Sequence, residues 1–414
     1  MTAALPATKR IVASERLIIF LVGAVQFVNI LDFMMVMPLG PDFARALGIS
    51  TAHLGLIAGS YMAAAAIAGI VGARFLDRFD RRKALGVALF GLVAGTAAGA
   101  LAQGLASLVI ARAIAGAFGG PATSIALSII ADVVPPARRG RAMGAVMGAF
   151  SVASVLGVPL GLRMASEGGW RLPFLAVAAM GAVVIVLALR AMPPMRGHIV
   201  VSAASGKPAG PKLSGLLGDG TIRLALAMNG LVMLTAFLVI PNIAAHLQQN
   251  IGFPRNRLDI AYMAGGAASF LIMRIAGRGV DRAGAARVAT VGTAVMIGVL
   301  YFAFIAPGAI GVGGVLVVFI LFMGGNSIRN VSMSSLSTRV PRADQRAGYM
   351  SLQSTAQHIS SATGAFASSR LLHDAPGGRL GGISTIAVIS AALALTLPPM
   401  LAAIDKRVSA REVG

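Results

Sequence analysis

Apolar runs of membrane-spanning length recur along the whole chain, and no other feature constrains its fold as tightly. Bounded by glycine, proline and charge, twelve runs begin near Leu17, Leu54, Ala84, Ser107, Ala142 and Leu172, then near Ile222, Leu258, Val288, Ile310, Gly348 and Ile383. A helix rises about 1.5 Å per residue and the hydrocarbon core of a bilayer is about 30 Å thick, so each run is long enough to cross. Within lipid the backbone must satisfy its own hydrogen bonds, and single runs do so as helices. The expected fold class is an all-α polytopic membrane protein with twelve transmembrane helices. Of the 414 residues 57% are hydrophobic and 12% charged, and the mean hydropathy is +0.83, which excludes an ordinary soluble domain.

The net charge of +21 invites a nucleic-acid reading, but the basic residues sit in short loops between apolar runs and form no groove-reading face. They set topology instead. With the N-terminus inside, seven of the 35 fall outside (Arg45, Arg163, Arg171, Arg255, Arg257, Arg370, Arg379), three fall within spans (Arg112, Arg274, Arg329), and the remaining 25 lie inside. That bias favours both termini in the cytoplasm. Lys9 and Arg10 precede a run too long for a signal-peptide core, so the first helix is read as retained. With no cysteine, disulfides and thiolate metal sites are excluded.

The chain divides at Met192 to Gly220, a stretch rich in Pro, Gly and Ser without helical period. Residues 1–191 and 221–414 then each carry six spans, with 192–220 as a cytoplasmic linker. The halves echo one another. ARFLDRFDRRK (Ala73 to Lys83) follows the second span and GRGVDRAGAAR (Gly277 to Arg287) the eighth; Gly119-Gly120 and PPARRGRAM (Pro135 to Met143) match Gly324-Gly325 and PRADQRAGYM (Pro341 to Met350). Duplication of a six-helix unit is the simplest account, and transporters built this way bind substrate where the repeats meet.

Within the first run, Leu17 to Leu39, stand Gln26, Asn29 and Asp32. Asp32 is the one acid expected near the middle of a span, and an intramembrane carboxylate is by default functional. Arg112 in the fourth span is its available counter-charge. Pairing would lower the acid's pKa and desolvation would raise it, and the sequence leaves the balance open. The fifth span carries Gly157, Pro159 and Gly161, small residues and a helix-breaking proline that allow close packing or hinging. Asn326, Arg329 and Asn330 fall in the tenth span. Gln353, Gln357 and His358 fall in the eleventh, the two glutamines on one helix face. His358 is read as a hydrogen-bonded or substrate-contacting group, or else as a second proton site. The acids and guanidiniums after the second and eighth spans (Asp77, Arg78, Arg81, Arg82; Asp281, Arg282), with Asp132 at the end of the fourth, can form charge-assisted bonds that hold bundles together on one side. They also serve as ordinary inner-leaflet anchors.

These motifs resemble those of a twelve-span major facilitator superfamily transporter, most closely its bacterial drug and sugar efflux branches, and the resemblance covers nearly the whole chain. The signature Gly-x-x-x-Asp-Arg-x-Gly-Arg-Arg is matched at Asp77, Arg78, Arg81 and Arg82, with Ala73 and Asp80 replacing its glycines. Arg112 and Gly116 resemble the family's Arg-x-x-x-Gly motif, and Gly157 to Gly161 its antiporter motif. The resemblance implies two pseudo-symmetric bundles, alternating access and proton-coupled export of a small, partly lipophilic compound. It places Gln26, Asn29, Asp32, Arg112, Asn326, Arg329, Gln353, Gln357 and His358 in a central cavity. Proton-driven uptake of an organic anion, lipid transport, and a non-transporting receptor are the rival readings. The expected setting is a bacterial inner membrane. Lipid and a small molecule are the expected partners of a monomer, with no nucleic acid, metal or cofactor beyond the coupling proton. No phosphate loop, zinc-protease motif or nucleophile elbow occurs, so neither ATP hydrolysis nor enzymatic hydrolysis is expected.

Overall fold

The computed structural model describes residues 14–72, 76–196, 213–307, 311–342 and 345–413. Lys9, Arg10, Ala73 and most of the expected linker, 197–212, lie outside the described residues, as does the Asp77 side chain.

Among the described residues twelve long helices run in sequence: α1 Glu15–Val36, α2 Thr51–Gly72, α3 Arg81–Ala100, α4 Leu105–Val133, α5 Arg138–Gly168, α6 Arg171–Ala191, α7 Gly220–Asn250, α8 Arg255–Ala283, α9 Ala285–Ile305, α10 Val312–Arg339, α11 Arg346–Leu371 and α12 Ile383–Arg411. Eleven are long and apolar enough to cross a membrane. The other, α11, has the length at 26 residues but carries Gln353, Gln357, His358 and repeated serines.

Local chemistry sets the ends. Ser14 caps α1 by accepting from the Leu17 amide at 3.3 Å, Asp80 caps α3 through Arg82, and Asp219 caps α7 through Thr221. A short helix, Gly40–Leu47, follows α1 and ends at Gly48, whose φ of +64° suits a residue without Cβ. Two interruptions coincide with prolines. Pro159 cannot donate to the preceding turn, and α5 relaxes there into a π turn at Ala153–Gly157. In α7, Pro241 lies in a 3₁₀ turn, Ile240–Asn242. An antiparallel hairpin, His373–Ala375 with Arg379–Gly381, joins α11 to α12.

Helices α1 to α6 pack among themselves and so do α7 to α12; the halves meet mainly where α2 crosses α11 and α5 crosses α8. Both crossings bring backbone onto backbone. Gly55 of α2 lies against the Ala365 carbonyl of α11, and a Cβ at Gly266 of α8 would stand 2.7 Å from the Ser154 carbonyl of α5. We call the face bearing residues 37–53 and the hairpin the far face, and the one bearing the first and last described residues the near face. One hydrophobic cluster unites the first half with the far portion of the second. A separate cluster, including Ile222, Ala289, Tyr349 and Leu401, packs only the near portion of the second half. Toward the near face the halves therefore share no buried core among the described residues.

Candidate functional site

A polar stripe on α1 builds the site. Gln26, Asn29 and Asp32 recur every three residues and so share one side of the helix. That side turns into the first bundle toward α3 and α4, while Phe33 faces the other half, its ring 6.0 Å from that of Phe237 on α7. Asp32 is 0% exposed and Arg112 1%. Arg112 Nη1 donates to Asp32 Oδ1 at 2.8 Å, and Nη2 reaches the Asp32 carbonyl at 3.4 Å. The guanidinium also lies over the Tyr61 ring, 4.7 Å from its centroid, a cation–π contact. Thr96 Oγ1 stands 2.7 Å from Asp32 Oδ1 and 2.8 Å from the Leu92 carbonyl, so its single proton serves one acceptor at a time. Asp32 Oδ2 and Arg112 Nε have no hydrogen-bond partner.

Two expectations change here. Asp32 sits one turn from the end of α1, nearer the far face than the mid-span position its place in the run suggested. Nor does the stripe line a cavity shared by the halves in this conformation, because the unlike charges satisfy each other inside one bundle. Asn29 is fully engaged: Nδ2 donates to the Gly119 carbonyl at 2.9 Å and to Thr123 at 2.6 Å, and Oδ1 accepts from Tyr61 at 2.8 Å. Gln26 is buried with Oε1 unpartnered. On α5, Gly157 packs against Leu31 and Gly161 against Met35, so the glycine-proline motif lies against α1 on either side of Asp32. Pro159 is buried just past the π turn.

In the second half, Arg329 is 2% exposed and its Nη2 donates to Thr235 at 2.6 Å. Its Nε is unpartnered, and no described carboxylate pairs with it. Asn326 bonds the Phe322 carbonyl of its own helix at 3.2 Å, and Asn330 is half-buried. Gln357 Nε2 donates to Asn229 at 3.3 Å, Gln353 Oε1 is unpartnered, and His358 Nδ1 lies 3.4 Å from Ser354 of its own helix. The structure thus joins Asp32 to Arg112, but brings neither Arg329 nor His358 into bonding contact with them.

At the near face Arg81 pairs with Asp132, and Arg82 donates to the Met192 carbonyl at 3.0 Å. Arg78 is exposed. Asp80, read from sequence as a substituted turn glycine, is a clamp: it caps α3 and accepts from the Met195 amide at 3.2 Å and from Arg196 at 3.3 Å. Burial pushes its carboxyl up, but the amides of Met195, Arg82 and Lys83 and the Arg196 guanidinium outweigh that, leaving it below the usual aspartate range. The matching loop of the second half differs, since Asp281 and Arg282 are exposed and make no ion pair among the described residues.

The far face holds residues that sequence reasoning missed. Arg255 grips Asp42 with two nitrogens at 2.6 and 2.8 Å, Ser50 donates to Asp374 at 2.8 Å, and Thr51 to Gln249 at 3.0 Å. Each contact joins the halves. Their partners lie some two hundred residues apart or more in sequence, and the only signal was a charge in each of two short loops. Also unforeseen is His246, fully buried, with Nε2 at 2.8 Å from the Ala303 carbonyl and its ring stacked on Phe304.

A family model described as Major Facilitator Superfamily matches residues 22–365. A chloramphenicol resistance protein of Streptomyces lividans is 32% identical over 150 residues, which are 36% of this chain and 37% of that protein, so the match spans little more than a third of the relative's length. Among solved structures, a variant of the nucleoside transporter NupG superposes with a TM-score of 0.73 at 13% identity, over 94% of this chain and 99% of the other. A bacterial homologue of the human lysosomal transporter Spinster, inward-facing and unoccupied, gives 0.72 at 16% identity, covering 95% and 98%. A D-xylose-proton symporter gives 0.72 at 17%, covering 93% and 97%. At these identities the likeness concerns the fold.

Proposed function

Since the chain belongs to the Major Facilitator Superfamily, we propose that this secondary active transporter exports a small, partly lipophilic compound in exchange for protons. The two halves, residues 1–191 and 221–414, act as the moving bodies. They sit in a bacterial inner membrane with both termini and the 192–220 linker in the cytoplasm, so that the near face is cytoplasmic. The positive-inside bias supports this orientation. Cross-half contacts gathered at the far face support a conformation closed to the outside and open to the cytoplasm. The similarity to a chloramphenicol resistance protein supports a drug-like cargo over part of the chain.

The buried Asp32–Arg112–Thr96 cluster carries the proposal. As it stands the pair is neutral overall. A proton on Oδ2, the oxygen without a partner, leaves both bonds at Oδ1 in place but removes the charge that offsets Arg112. An uncompensated guanidinium in a dry interior costs several kcal/mol, and the relief is a rearrangement that exposes it to water or substrate. Thr96 eases the change by turning its proton to the Leu92 carbonyl. Gly157 and Gly161, packed beside Leu31 and Met35, let α1 slide on α5 without displacing bulk. Proton uptake thus favours one access state and proton release the other. The test is proton-driven substrate efflux from proteoliposomes: Asp32→Asn should lose pH-dependent coupling, and a variant coupled like the wild type would sink the assignment.

Arg329 supports a second reading, uptake of an organic anion, because this buried guanidinium lacks a carboxylate. The direction of flux under an imposed pH gradient separates the two.

A further inference from the structure

On the near side of the first half, a cleft of about 730 Å³ opens between α2, α3 and α4. Its walls are apolar: Ala68 and Val71 on α2, Val87 on α3, and Phe118 and Pro121 on α4. Pro121 lies about 18 Å of helix rise from the near end of α4 at Val133, so the cleft runs deep into the hydrocarbon layer. Val71 and Val87 are 49% and 63% exposed and merge with further exposed apolar side chains, Ile67, Ile70 and Phe90, so the cleft opens sideways onto the lipid belt. Its mouth is basic. Arg78, Lys83 and Arg196 rim it, and among the described residues Asp80 is the single acid there. That acid is already consumed by the amides of Met195, Arg82 and Lys83 and by Arg196, while the exposed Arg78 and Lys83 make no ion pair with a described residue.

We propose that this cleft binds one anionic phospholipid of the near-face leaflet, its phosphate between Arg78 and Lys83 and an acyl chain along Val71, Val87, Phe118 and Pro121. The chemistry is matched at both ends: spare cations stand at headgroup level, and an apolar slot runs inward from them. A soluble anion would use only the mouth, and a neutral lipid only the slot. Because Arg78 and Lys83 flank the turn whose neighbours Arg81 and Asp80 tie the near face together, a bound lipid would also stiffen that turn.

The test uses the purified full chain and native mass spectrometry, with phosphatidylglycerol and phosphatidylcholine as probes. The wild type should retain a first phosphatidylglycerol at a concentration roughly thirtyfold lower than phosphatidylcholine, the factor expected of two basic residues at a lipid surface. Arg78→Gln with Lys83→Gln should abolish that preference. Val87→Trp, which narrows the slot, should weaken retention of both lipids, and excess inorganic phosphate should displace neither. Equal retention of the two lipids by the wild type, or an undiminished preference in the double variant, would overturn the proposal. Displacement by inorganic phosphate would reassign the mouth as a free-anion site. Should Val87→Trp fail to fold, the double variant decides alone, since both its side chains are exposed.

Discussion

Arg112 and Arg329 are buried to the same degree, one inside each half, yet they are held in opposite ways. Arg112 has an acid at 2.8 Å and an aromatic face beneath it. Arg329 has one threonine hydroxyl at 2.6 Å and an orphaned Nε. The first is half of a neutral pair whose charge a proton can change; the second is a fixed buried cation. Protonating Asp32 makes the first half electrostatically resemble the second. The near-face loops repeat the contrast: the 76–82 turn is clamped through Asp80 and Arg81, while Asp281 and Arg282 stand in the open. At these two places the paired charges are thus concentrated in the first half.

The sharpest challenge to that contrast is to neutralise each arginine in turn. Arg112→Met strands the Asp32 carboxylate and should cost about 3–5 kcal/mol, as breaking one side of a buried pair does, together with loss of coupled transport. Arg329→Met removes an unpaired charge at the loss of one hydrogen bond, and should fall within about 1–2 kcal/mol of the wild type. Equal thermal destabilisation of the two variants would erase the distinction.

Next in size is the bond between halves at the far face. Arg255→Ala removes a half-buried two-pronged pair with Asp42 and should shift the balance toward the far-open state by about 1–2 kcal/mol, roughly tenfold in population. Labelling of single cysteines introduced into this cysteine-free chain reads the shift, and unchanged labelling would deny the pair any gating role. Thr96→Val should cost about 1 kcal/mol and displace the pH profile of transport, because the hydroxyl shares its proton with Asp32. A profile identical to wild type would confine Thr96 to packing.

The smallest effect separates the two loops. Asp80 titrates lower in the folded chain than in the unfolded one, so its stabilisation is complete above the unfolded value of about 3.9 and fades as pH falls through the folded value. Asp80→Asn keeps the helix cap but loses the charge, so it should melt below the wild type by about 0.5–1 kcal/mol near neutrality, with the gap closing in acid. Asp281→Asn should show no such pH-dependent gap.

Helix positions were legible because a hydrocarbon layer demands long apolar runs, and the starts near Leu172 and Ile222 fall within two residues of α6 and α7. The need of Asp32 for a cation was legible for the same reason. What the sequence hid was facing. A polar stripe on a membrane helix marks a side that avoids lipid but not whether that side meets the other half or its own bundle, so Gln26, Asn29 and Asp32 read as cavity residues although they point into their own bundle. The Asp42–Arg255 pair was hidden differently, by 213 residues of separation. Asp80 was visible but misjudged, because a departure from a glycine pattern says nothing of the amides at Met195 that a carboxylate can collect.

The polarity of α11 has a consequence for how the chain is made. A segment with two glutamines, a histidine and many serines gains too little from lipid to leave the insertion machinery unaided. It must be drawn in by partners already in place, chiefly α7, which it meets along its length and whose Asn229 takes the hydrogen bond of Gln357, and α2, whose Gly55 makes room for its backbone. The eleventh crossing is therefore expected to depend on tertiary contacts, and a chain lacking α7 should leave that segment out of the membrane.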